Sequence, residues 1–96
     1  MNAYLLKKLR GITSASIEKY LLITGWTRDN SYNNNRMWIF RNHADADFAI
    51  AVPANENVTD FYPRLYDLVQ TLSIYSEKSE QEIIDSLKSA YTDRIQ

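Results

Sequence analysis

The feature that most constrains this chain is a change of hydrophobic period at Trp26 that reverts after Pro53. A helix repeats every 3.6 residues and a strand every two, so one stretch cannot serve both patterns. Ahead of the change, Ile17, Tyr20, Leu21 and Thr24 follow i, i+3, i+4, i+7 spacing. That spacing predicts a helix from Thr13 or Ser14, both good N-caps, to about Thr24, with Gly25 closing it. A shorter helix is expected over residues 3–9, with Leu5, Leu6 and Leu9 on one side and Gly11 just beyond.

Between Trp26 and Pro53 the pattern reads as three strands. Trp26–Tyr32 alternates loosely, and Asn33-Asn34-Asn35 is a turn, because asparagine tolerates left-handed backbone. Arg36-Met37-Trp38-Ile39-Phe40-Arg41 is the strongest strand, rich in aromatic and branched residues. A second turn over Asn42–Ala46 leads to Asp47–Val52, where Phe48, Ile50 and Val52 alternate with Ala49 and Ala51. One face of that strand is buried, and Pro53 is expected to end it.

Helical spacing returns after the polar loop 54–60. Asp60 is the expected N-cap of a third helix, with Pro63 in its first turn and Tyr62, Leu65, Tyr66, Leu68, Val69 and Leu72 as its apolar stripe. Ser79-x-x-Glu82 is a capping box that announces a last helix over about 80–92, with Ile83, Ile84, Leu87 and Tyr91 on one face. Ile95 extends that face, which fits a domain trimmed from a longer protein, as its N-terminal part. The expected fold is α+β: helix, three-stranded antiparallel sheet and helix in two layers, with extra short helices at both ends. Residues 1–96 read as a single domain with its core at about 14–76.

Composition narrows the function classes. Apolar residues make up 45% of the chain and aromatics 12%, which excludes a disordered segment. The absence of cysteine rules out disulfide staples, zinc ribbons and thiol catalysis. No apolar run reaches the roughly 20 residues of a membrane span, and the first residues lack the order of a signal peptide. A cytoplasmic protein without membrane contact is expected. Charge is uneven: residues 1–43 carry seven bases and two acids, net +5, whereas residues 44–96 carry four bases and ten acids, net −6. A basic face able to meet phosphates is one reading of that split; pairing of the two halves in the fold is the other.

Few residues offer chemistry. His43 is the single histidine and stands in a turn between Arg41 and Asp45 without an evident catalytic partner. Asp45, Asp47, Glu56 and Asp60 form no glycine-anchored cation loop, so no metal is expected. Asn57-Val58-Thr59 is a chance match to a glycosylation sequon. Gly11 and Gly25 are the only glycines, which excludes a phosphate-cradling loop and a serine-hydrolase elbow; no cofactor is expected.

The constellation of interest is Arg28, Arg36, Trp38, Phe40 and Arg41. Period two places Arg36, Trp38 and Phe40 on one strand face, with Met37, Ile39 and Arg41 on the other. If Ile39 shares the core with Phe48, Ile50 and Val52, then Trp38 and Phe40 stand open beside Ala49 and Ala51. Such rings, flanked by arginines, stack on single-stranded bases. A shift of one residue sends Trp38 and Phe40 into the core and exposes Met37 and Ile39 instead.

Leu21-Leu22-Ile23-Thr24-Gly25-Trp26, Trp38-Ile39-Phe40-Arg41-Asn42, Ile50-Ala51-Val52-Pro53 and the helix through Leu65, Leu68 and Leu72 together resemble the HicA-type toxins, small relatives of the double-stranded RNA-binding fold. The likeness covers about residues 14–76. It implies that fold and RNA binding within a bacterial phage-defence or toxin–antitoxin-like system. In that family a Gly-Ser-His stretch at the start of the second strand carries the ribonuclease histidine. Asn35-Arg36-Met37 stands there in this chain, and His43 is out of register, so the resemblance implies no nuclease. The segments also look like N-terminal domains of longer bacterial defence-associated proteins.

The expectation is therefore a non-catalytic nucleic-acid-binding module, RNA rather than DNA. Lys7, Lys8, Arg28, Arg36, Arg41 and His43 would lie along the backbone, with Trp38 and Phe40 stacking. The alternative is a protein-interaction or oligomerisation domain, with a homodimer among its forms and the tyrosines at an interface. A divergent ribonuclease using His43 is the third.

Overall fold

The computed structural model describes residues 2–31 and 36–92, leaving aside the side chains of Tyr91 and Thr92. Four helices and one sheet follow in the order α1 (Ala3–Leu9), α2 (Ser14–Ile23), β1 (Trp26–Arg28), β2 (Met37–Asn42), β3 (Ala49–Pro53), α3 (Phe61–Ser76) and α4 (Glu80–Thr92). The α+β class, the antiparallel sheet and the short flanking helices are as expected. Tyr32, the turn at Asn33–Asn35, Ile95 and the side chain of Tyr91 lie outside the described residues.

Local chemistry starts each helix. Asn2 Oδ1 accepts the Leu5 N–H at 2.8 Å to cap α1. Thr13 caps α2 reciprocally with Ser16: Ser16 N–H donates to Thr13 Oγ1 at 3.1 Å, and Thr13 N–H to Ser16 Oγ at 3.0 Å. A serine thus does the work that Glu or Gln does in the usual box. The Ser79–Glu82 box at α4 forms as the spacing predicts, with both reciprocal bonds present. Asp60 precedes α3 but makes no side-chain cap; its carboxylate instead accepts from Arg64 Nε at 2.6 Å, one turn on. Gly25 leaves α2 at φ +97°, which a residue with a Cβ adopts only with strain.

The sheet order is β1-β2-β3, all antiparallel. β1 is shorter than the expected Trp26–Tyr32, and β3 starts two residues later than expected and includes Pro53. The proline is tolerated because β3 is an edge strand. Ala54 N–H donates inward to Arg36 O at 2.8 Å, so the neighbouring position, Pro53, faces its missing N–H outward.

Register decides which aromatics are buried. Asn42 N–H donates to Phe48 O, and the five-residue connection between them pairs Phe40 with Ile50 and Trp38 with Val52. Paired residues share a face, so Trp38 and Phe40 go inward with Ile50 and Val52. The register with Ile39 in the core and open rings at Trp38 and Phe40 is therefore corrected: the shifted one is formed. It buries two large aromatic surfaces where the other would bury Met37 and Ile39.

Helices α2 and α3 cover the inner face, and α4 packs on both of them. Leu9, Ile17, Leu21, Trp26, Phe40, Val52, Phe61, Leu65, Leu72, Ile83, Ile84 and Leu87 form one continuous core. Tyr75, near the end of α3, meets Phe48 at 4.6 Å and Trp26 at 5.3 Å between ring centroids. Helix α3 consequently runs opposite to β3, with its end at the start of that strand. Among the described residues no helix is long and apolar enough to cross a membrane.

Candidate functional site

The residues expected to form one nucleic-acid face do not share one. Phe40 is 0% exposed, and Trp38 is half-buried with the Arg28 guanidinium 4.3 Å above its ring centroid. Neither ring is an open stacking platform. Arg28 pairs with Phe40 across the ladder and so lies on the helix side of the sheet. Its Nε is buried and has no acceptor among the described residues.

Arg41 points to the opposite, outer side. Its Nε donates to Asp29 Oδ2 at 2.8 Å and its Nη1 to Ala46 O at 3.2 Å. Hydrogen bonds from Ser31 and then from Arg41 hold the Asp29 carboxyl down to about 2. Arg36 is exposed at the entry to β2, close enough to Asp60 to help lower its pKa, though the Arg64 hydrogen bond is the larger cause. Lys7 and Lys8 sit in the last turn of α1, with Lys8 Nζ 5.3 Å from the Tyr4 ring centroid. His43 is exposed in the β2–β3 turn, where its backbone N–H donates to Gly25 O at 2.8 Å. Among the described residues no cluster of three histidine, cysteine or acidic side chains has metal-binding geometry.

A different feature stands out at the far edge of the sheet. Inward bonds at Phe48 and Ala54 set the alternation of β3, so Ala49 and Ala51 turn their N–H and C=O groups outward. Both residues are exposed, and among the described residues these outward groups make no hydrogen bond. Beside them runs a groove of about 270 Å³ between β3 and α3, with Ile50 and Leu68 among its apolar lining and Arg64, Asp67 and Thr71 along the helix wall. It meets a second hollow of about 210 Å³ at Met37 and Arg64, where Arg36 and Asp60 stand.

The hydrophobic pattern of the sequence does not reveal this groove. Its signal in the sequence is the pair of alanines on either side of Ile50: a methyl group leaves the strand backbone uncovered. The same small side chains also suggest space for neighbouring rings, which the register does not place there.

No protein-family model, no curated protein and no solved structure matches this chain.

Proposed function

We propose that this chain is a non-catalytic protein-interaction module that works through the β3 edge and the groove beside it. The observation that carries the reading is the exposed pair Ala49 and Ala51, which present free backbone donors and acceptors above an apolar-floored groove. Edge strands of this kind are templates for pairing unless blocked by charge, proline or a covering element. Among the described residues Pro53 closes one end of β3, while Ala49 and Ala51 themselves carry neither charge nor bulk.

Electrostatics favour a protein over a nucleic acid. The net charge is −1, whereas nucleic-acid affinity comes largely from neutralising phosphates. Arg41 and Arg64 are engaged by Asp29 and Asp60. Arg28 and Arg41 project from opposite sides of the sheet, so they cannot line one backbone track.

The test runs two arms on the same protein. A phage library of random seven-residue peptides is panned against it, and selected peptides are titrated while backbone amide NMR shifts are followed. Labelled single-stranded RNA, duplex RNA and duplex DNA are titrated by anisotropy at two salt concentrations. Selected peptides that shift Ala49, Ala51 and Thr71 support the reading. A library without binders overturns it, as does salt-dependent nucleic-acid binding mapped to Lys7, Lys8 and Arg36.

A further inference from the structure

Resting on that protein-interaction reading, we infer that the partner segment is an extended strand that adds antiparallel to β3 and places one uncharged apolar side chain in the β3–α3 groove. The hydrogen-bond pattern defines the geometry. A strand residue opposite Ala51 and another opposite Ala49 each form a two-bond pair, about four bonds together. The residue between them lies opposite Ile50 and shares its face, which is the helix side. Its side chain therefore enters the groove, whose floor at Ile50 and Leu68 is apolar. The two flanking side chains lie on the outer face beside the alanine methyls, where solvent reaches them.

Charge sets the order of residues in the partner. At the Pro53 end of the strand, Arg36 and Arg64 stand with Asp60, and Asp67 lies one turn further along α3, so neither sign prevails. At the other end, the exposed Asp45 and Asp47 of the β2–β3 turn precede Ala49. An antiparallel partner meets the acidic end with its C-terminal part. Its pattern is thus a short uncharged stretch centred on the apolar anchor, then a basic residue. Along the groove wall itself Arg64 and Asp67 cancel, so a charged anchor gains nothing there. A phosphate backbone fits poorly, since it offers no N–H donors to the outward carbonyls.

Single N-methyl groups placed along a selected seven-residue peptide test this directly. Methylation at either position opposite Ala49 or Ala51 removes a donor and places bulk in the ladder, so affinity should fall at least about tenfold. Methylation of the anchor residue's own amide, which points away from β3, should leave affinity within about twofold. On the protein, Thr71→Arg should fill the groove and weaken binding similarly. Ala51→Pro, which removes one outward N–H, does the same if it folds. Selected peptides should share a basic residue C-terminal to the apolar anchor. If binders are found but ignore the position of the methyl group, or shift residues away from β3, strand addition is wrong while a protein-interaction module stands. If the library yields no binder, both fall.

Discussion

The β2 register can be tested by comparing Phe40→Ala with Ile39→Ala. Phe40 is 0% exposed and packs in the continuous core beneath α2 and α3. Removing its ring loses the transfer energy and leaves a cavity, together about 3–5 kcal/mol. Ile39 lies on the outer face opposite Ala51 and is only half-buried. Truncating it removes three carbons worth about 0.8 kcal/mol each when fully buried, so at half burial the loss is about 1 kcal/mol. Urea unfolding, followed by tryptophan fluorescence and far-ultraviolet circular dichroism, measures both. Midpoints should shift with an unchanged slope. For a domain of this length each kcal/mol is worth roughly 4–8 °C, so the two variants should melt at least about 10 °C apart. Equal losses, or a larger loss at Ile39, would refute the assigned register and with it the inward placement of Trp38 and Phe40.

The remaining predictions concern caps, turns and charge. Ser79→Ala removes half of the α4 capping box and should cost about 1 kcal/mol in the same unfolding assay; no change would mean that the box is incidental. Gly25→Ala should cost about 1–2 kcal/mol from backbone strain alone, because a Cβ there meets nothing within 4 Å. A variant as stable as the parent would contradict the left-handed turn. Asp29 is held down to about 2 in the folded chain, so its contribution is fully present above its unfolded value near 4. It is lost as pH falls through about 2. Ser31→Ala should raise the Asp29 midpoint in a carboxyl carbon NMR titration, and an unmoved midpoint would show that the serine is not the main cause. Arg28→Met keeps the contact over Trp38 and removes a buried unpaired donor, so stability should change by less than about 1 kcal/mol. A large loss would mean that Arg28 has an acceptor.

Much of the architecture was legible because it is local. The spacing of Ile17, Tyr20 and Leu21, the Ser79–Glu82 box and the glycine after Thr24 each specify geometry within a few residues. A proline usually ends a strand, yet Pro53 lies inside β3, because whether a proline is tolerated depends on whether the strand has a neighbour on that side. Asp60 has the residue type and position of a cap, yet its carboxylate goes to Arg64, a competing partner one turn on. The aromatic face was the largest departure. Period two separates Trp38 and Phe40 from Met37 and Ile39 but does not say which set points inward.

By itself the sequence determined that helices flank a three-stranded segment and where most helices begin, since periodicity and capping act over one or two turns of chain. The tertiary structure alone decided the pairing of Phe40 with Ile50, the separation of Arg28 from Arg41 and the open groove beside Ala49 and Ala51. Those depend on how a five-residue connection closes β2 onto β3 and on which face α2 and α3 cover. Such contacts join residues distant in the chain, and local spacing carries no record of them.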